Sequence, residues 1–410
     1  MTQRRIVAAL GTAQTLAWAS SYYLLAMLAA PMARDLGVSV PTVFGAFSLA
    51  LVVSALVGPY AGHVIDNWGG RPVLMGTNLV FAAGLAALGA SQGIVGLFAA
   101  WVVIGIGMGS GLYEAGFAAL VRIYGHGSRG AITGITLLAG FASTVGWPLT
   151  AFLETQFGWR GACLAWAALH LVVGLPLNAC LPKVPRASLA QPEHETPQLN
   201  PTRTEGNGKS NARFIGWLLA FVFAATWFIS TAMAAHLPRL LQLTGATFGA
   251  AVAVGALVGP AQVAGRLVEF GFLRRLHPLL SARMAALAHP IGAALLLTVG
   301  APAAALFAIL HGAGNGILTI AKGTLPLALF GPHGYGARQG VLMAPARIAQ
   351  ALAPLAFGIC LDQWGTGALW LTAGLGLLAF GALLGLSRSG GESAPTGQSR
   401  RPQAKEEREA

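Results

Sequence analysis

An all-α membrane protein of twelve transmembrane helices, arranged as two parallel repeats of six, is the fold class that this sequence predicts. Three observations carry it. The 410 residues are 55% hydrophobic and only 9% charged, with a mean hydropathy of +0.66, whereas soluble domains carry roughly 25% charged residues. Twelve apolar runs are each long enough to cross a bilayer, which takes about 20 residues of helix. One set of sequence features also occurs twice, a little over 200 residues apart.

The runs fall near 6–30, 42–65, 73–91, 94–124, 130–153, 161–182, 214–237, 246–269, 279–299, 303–329, 339–361 and 367–386. They are continuous rather than alternating, which excludes a β-barrel. The first follows Arg4-Arg5 but is about twice as long as the apolar core of a secretory signal, so it is expected to be retained as the first helix. Helices one to six form an N-terminal bundle, 1–182. Residues 183–213, rich in Pro, Glu, Asn, Thr and Lys, are expected to be a disordered cytoplasmic linker. Helices seven to twelve form a C-terminal bundle, 214–386, and 387–410 a disordered cytoplasmic tail.

The repeat is explicit. Ala55-Leu56-Val57-Gly58-Pro59 recurs as Ala256-Leu257-Val258-Gly259-Pro260, and Gly62-x-x-x-Asp66 as Gly265-x-x-x-Glu269. Gly107-x-Gly109-x-Gly111 in helix four recurs as Gly312-x-Gly314-x-Gly316 in helix ten, and Gly134 and Pro148 as Gly340 and Pro354. Offsets between 201 and 206 account for all of them. Six helices return the chain to the side it entered from, so the halves are related by an axis along the membrane normal. Two such halves can rock about a site between them. The 55 glycines suit close helix approach where lipid offers no hydrophobic drive. Gly146-Trp147-Pro148, Ala344-Pro345 and Ala353-Pro354 are expected to kink helices five and eleven.

The net charge of +12 marks orientation rather than a nucleic-acid partner. With the N-terminus cytoplasmic, twenty Lys and Arg residues fall on the cytoplasmic side and three (Arg34, Arg160, Arg239) on the other, a decisive positive-inside bias. Both termini are therefore expected in the cytoplasm. Cys163, Cys180 and Cys360 lie in apolar runs without metal-like or disulfide spacing, so neither a metal nor a cofactor is expected.

The turn between helices two and three carries Gly62, Asp66, Gly69 and Arg71. It resembles the Gly-x-x-x-Asp-basic-x-Gly-basic-basic signature of the major facilitator superfamily, departing from it at Asn67 and Gly70. The resemblance extends over nearly all twelve runs. It implies a secondary transporter with a cavity lined by helices one, four, seven and ten, and a turn that holds one facing state by touching the ends of neighbouring helices. Arg122 is then a partner for Asp66, and Arg266 and Glu269 are the counterpart in the second half. Trp101 stands where the family often has an arginine in helix four. The glycines of helix five do not fit the family's antiporter pattern.

Within the membrane the clearest ionisable side chains are Glu114, Lys322 and Arg347, in helices four, ten and eleven. All three lie about 12–14 Å from the cytoplasmic ends, at 1.5 Å per residue. An intramembrane charge is costly unless paired or wetted, and marks a candidate site. One reading has Lys322 and Arg347 facing an anionic substrate with Glu114 as counter-ion or proton carrier. The other has Glu114 and one cation as a structural pair. His311 and Asn315 share a face of helix ten with Lys322, either lining the cavity or bonding neighbouring helices. Gln350 lies near Arg347. Gln14, Ser21 and Tyr22 in helix one can offer neutral contacts or simply pack. His170, His236 and His289 look isolated and structural.

The expected function is alternating-access transport of a small organic, anionic solute, coupled to protons or another ion, by a monomer in a bacterial inner membrane. The alternatives are a drug or toxic-compound efflux pump, metalloids included, and more remotely a non-transporting receptor. An enzyme is not expected: the sequence offers no nucleophile–base pair, metal set or phosphate loop.

Overall fold

The computed structural model describes residues 2–184 and 205–386, and among them every regular element is a helix. The first crossing is made by α1 (Gln3–Ser20) and α2 (Leu25–Leu36), the second by α3 (Val40–Trp68) and the third by α4 (Gly70–Ala90). The fourth is split into α5 (Ile94–Gly111) and α6 (Tyr113–Tyr124). The fifth is α7 (Arg129–Ala139) and the first part of α8 (Ala142–Leu169), and the sixth is the rest of α8 with α9 (Leu175–Ala179). The second half follows with α10 (Glu205–Leu243), α11 (Phe248–Gly255) and α12 (Val258–Gly271), α13 (Pro278–Val299), α14 (Ala304–Phe330), α15 (Tyr335–Trp364) and α16 (Leu369–Gly385).

Nine apolar helical stretches among the described residues are long enough to cross a membrane. Two of them, of 86 and 51 residues, contain turns: Gly125–Ser128 and the backbone break at Gly158 in the first, Gly365–Ala368 in the second. Divided there, the stretches follow the twelve runs of the sequence. Some boundaries move. Helix seven starts at Glu205, inside the stretch expected to be linker, while residues 185–204 and the tail 387–410 lie outside the described residues. Helix five breaks at Gly140 and Phe141 rather than at Pro148, and α15 continues through Pro345 and Pro354.

The glycines of helix four are there for two neighbours. A Cβ on Gly105 or Gly109 would press on the α3 backbone, and one on Gly107 or Gly111 on Phe81 or Thr77 of α4. In helix ten, Gly312 and Gly316 face α12 while Gly314 faces α13. The same spacing therefore builds the same three-helix contact in each half.

The halves meet most closely along α3 and α15. Gly62 lies on Gly336 and Gly58 on Gly340, so near that a Cβ at any of Gly62, Gly336 or Gly340 would overlap the facing backbone. Ser48 Oγ donates to the Ala351 carbonyl at 3.3 Å further along the same contact. Without a hydrophobic drive between helices in lipid, such backbone approach is what holds them. At the end bearing Arg34, Arg160 and Arg239, each half is tied within itself: Arg160 to Asp35 at 2.9 Å, and Arg239 to Asp362 at 2.6 Å.

Gly340→Ala is expected to lower the melting temperature of the purified protein in detergent. Overpacking of this kind costs about 1–3 kcal/mol. Gly76→Ala, where an added Cβ meets nothing within 4 Å, is expected to leave the melting temperature unchanged. Equal melting curves for the two variants would remove the close contact from the account.

Candidate transport site

The central site starts with an interruption. Helix four breaks at Leu112, whose ψ of −164° is extended, just after its run of glycines. The break frees the Gly111 carbonyl, and Gln14 Nε2 donates to it at 2.7 Å. It also starts a new helix at Tyr113, which sets Glu114 in a first turn, where the helix dipole favours a negative charge.

Glu114 points across to the other half. Arg347 Nη2 donates to its two carboxylate oxygens at 3.0 and 2.9 Å, while Arg347 Nη1 donates to Gln350 Oε1 at 3.0 Å. Gln350 Nε2 then donates to the Tyr22 hydroxyl at 3.0 Å. One chain of polar contacts thus ties helix four to helix eleven and helix eleven to helix one. A cavity of about 10 Å³ beside it is lined by Ser54, Gly58, Glu114 and Arg347 among others.

Lys322 is treated differently. It is 3% exposed, and its Nζ makes no hydrogen bond among the described residues. The ammonium lies instead over the Trp227 ring of helix seven, 4.1 Å from the centroid. Arg347 Cζ is 5.5 Å from the same ring and 5.9 Å from that of Trp18. Trp18 and Trp227 lie nearly parallel across the boundary, centroids 6.3 Å apart and planes at 10°. From Trp18 the rings continue to Tyr22, Tyr23 and Tyr113, and from Tyr113 to Phe117. Both indole N–H groups, with Gln14 Oε1 and Gln339 Oε1, are buried without a hydrogen-bond partner.

The helix-ten stripe divides. His311 and Asn315 line a cavity of about 20 Å³ inside the second half, with Thr226 and His289, and His311 Nδ1 lies 3.0 Å from His289 Nδ1. His289 is therefore not isolated: one imidazole donates to the other. His170 bridges Ser20 Oγ at 2.7 Å and Asn78 Oδ1 at 2.9 Å, and His236 meets the Pro354 carbonyl. Ser21 bonds back to the Ala17 carbonyl in its own helix.

At the basic end, Asp66 accepts from the backbone amides of Gly336 and Ala337 at 2.8 and 2.9 Å. These are orphan donors of the first turn of α15, and a carboxylate there satisfies them and complements the dipole. Arg122 is buried at the end of α6, and each carboxylate oxygen of Asp66 accepts one of the two amides. Gly69 makes the turn with φ 87°, a conformation that favours glycine, and Arg71 follows in the first turn of α4. In the second half, Glu269 meets Arg129 Nη2 at 2.8 Å, and Arg129 Nη1 donates to the Leu276 carbonyl at 2.7 Å. Arg266 donates to the Thr136 carbonyl at 3.1 Å. Each acidic residue of the repeated motif thus reaches the first turn of a helix in the opposite half, α15 or α7.

Sequence reasoning missed Trp18, Trp227 and Arg129. Their signal was positional: two tryptophans on cavity helices one and seven, and an arginine opening helix five.

Glu114→Leu and Arg347→Leu are each expected to destabilise the protein by about 3–5 kcal/mol, because each leaves a buried charge unmatched. The double variant is expected to recover much of that loss. A thermal-denaturation cycle in which the two losses simply add would mean that the pair is uncoupled.

The family model of the Major Facilitator Superfamily matches residues 10–310. A curated relative from Thermoproteus tenax, described as an uncharacterized 38 kDa protein in the 23S RNA operon, is 27% identical over 363 residues, 88% of this chain and 90% of its own. Similar solved structures include the human organic anion transporter MFSD10, at 18% identity and a TM-score of 0.68 over 93% of this chain and 100% of that one. They also include the proton:xylose symporter XylE, at 14% identity and TM-score 0.71, covering 93% and 95% of the two chains. FucP in its outward conformation gives 14% and 0.73, with 93% and 98% covered. At these identities the structures speak for the fold, and the family model spans well over half the sequence. The chain belongs to the major facilitator superfamily of membrane transporters.

Proposed function

We propose that this protein is a secondary transporter of a small organic anion, working by alternating access. The observation that carries the reading is Lys322, a buried ammonium between the two halves with no hydrogen bond or salt bridge among the described residues. Arg347 is matched by Glu114; Lys322 is not matched. A charge at membrane depth is expensive until it meets a partner, and an anionic solute supplies one. The printed description of MFSD10 as an organic anion transporter agrees by analogy of fold.

The two bundles, 1–182 and 214–386, rock about this site. Asp66, Glu269, Arg129 and Arg266, with the Gly62–Gly336 contact, hold them together at the basic end. The positive-inside bias supports a cytoplasmic position for that end and both termini; with the protein in a bacterial inner membrane, this arrangement admits solute from the outer side. Glu114 serves as the proton carrier: once protonated it no longer balances Arg347, and the bridge between helices four and eleven loosens. The protein acts as a monomer. A second reading, export of amphipathic drugs, draws on the tryptophan and tyrosine rings around Trp18.

Lys322→Ala is expected to abolish anion uptake in proteoliposomes while the purified variant still melts cooperatively. Uptake equal to the unsubstituted protein would overturn the assignment. Thermal shifts from many unrelated cationic or neutral amphiphiles, unaffected by Lys322→Ala, would favour drug export.

A further inference from the structure

The boundary between the halves is chemically lopsided. The first half brings rings to it: Trp18 with Tyr22 and Tyr113 packed on its sides, at centroid distances of 5.3 and 4.9 Å. The second half brings the cations Lys322 and Arg347 and the ring of Trp227, against which both lie. Trp227 faces Lys322 at 4.1 Å and lies parallel to Trp18. Resting on the understanding of Lys322 as an anion site, we propose that the solute is a planar aromatic monocarboxylate, with its acid group on Lys322 and its ring on the Trp18–Trp227 pair.

Three features converge on that class. At the ring pair Glu114 matches Arg347 while Lys322 has no salt bridge among the described residues, so one carboxylate completes the set there; Arg266, another buried cation of the region, bonds to the Thr136 carbonyl. The buried unpartnered groups around Lys322 include donors, its own Nζ and the indole N–H groups of Trp227 and, across the boundary, Trp18, beside one acceptor, Gln339 Oε1, whose amide nitrogen donates to the Lys322 carbonyl. A carboxylate has two oxygens and only lone pairs to offer, so it can take the ammonium and an indole N–H together. Finally, the Trp227 face is now the stand-in partner of Lys322. A cation over an indole face is held more weakly than in a buried ion pair with good geometry. When the carboxylate draws Lys322 to itself, the face of Trp227 is released, and a flat ring attached to that carboxylate is positioned to replace the ammonium on it. An aliphatic acid would satisfy Lys322 but leave the ring face with less. Aromatic pairs gain beyond what burial alone gives, which sets the expected preference at roughly two- to tenfold.

The test is isothermal titration calorimetry on the full-length protein in detergent, with benzoate, cyclohexanecarboxylate, lactate, benzyl alcohol and benzylamine as probes. Benzoate is expected to bind tightest, severalfold above cyclohexanecarboxylate, with benzyl alcohol and benzylamine silent. Trp227→Leu is expected to bring benzoate down to the level of cyclohexanecarboxylate, while Trp227→Phe keeps most of the difference. Lys322→Gln is expected to remove both acids. Melting curves confirm that each variant is folded. Equal binding of benzoate and cyclohexanecarboxylate would overturn the aromatic assignment and leave organic anion transport standing. Binding of benzylamine or benzyl alcohol without either acid, or no binding of any probe, would overturn the aromatic assignment and the anion reading together.

Discussion

The contact between Glu114 and Arg347 is the constraint around which the centre of this protein is arranged. Each charge is costly alone at that depth. A buried pair whose remaining donors are also satisfied can offset its desolvation, and Arg347 meets that condition by spending its other arm on Gln350, which in turn holds Tyr22. The pair fixes the depth at which helix four faces helix eleven. It also determines which charge is left over. Glu114 cannot serve two cations equally, so Lys322 settles on an aromatic face.

The basic end is closed by contacts of another kind. Gly62 and Gly336 allow two backbones to touch, and Asp66 then completes the first turn of α15. The pseudo-equivalent Glu269 uses a side chain, Arg129, where Asp66 uses amides. Both are polar contacts at the basic end of the interface rather than at membrane depth. Water can take over each partner when the halves separate, so the closed state is held without being trapped. A hydrophobic seam of the same length would lack that reversibility, and in lipid it would also lack the drive that makes such seams strong in water.

Much of the architecture was legible in the sequence because it rests on one-dimensional quantities: run length, charge bias and a repeat offset. The glycine periodicity pointed to close packing, and the structure shows which neighbour each glycine serves. Glu114, Lys322 and Arg347 stood out because charges are rare in apolar runs. What stayed hidden was pairing. Depth alone places all three at one level but does not say which cation Glu114 takes. His289 looked isolated because its partner His311 is on the next helix, and tryptophans in apolar helices carry no charge to mark them. The helix-five break moved to Gly140 and Phe141 because a proline weakens a helix without deciding where the surrounding packing lets it give way.

The division of labour between rings and cations has a mechanical consequence. A ligand shifts a conformational equilibrium only as far as its affinities for the two states differ. A solute held wholly by one bundle would bind equally well whether or not the other bundle approached, and would drive no movement. Here the first half supplies Trp18 and its neighbouring rings, while the second supplies Lys322 and Trp227. A solute carrying both a flat body and a negative charge makes its full set of contacts only when the two bundles are brought together around it. Under the proposed function its binding energy would act on the approach of the halves, and the lopsided chemistry of the boundary would be the means by which occupancy is converted into motion.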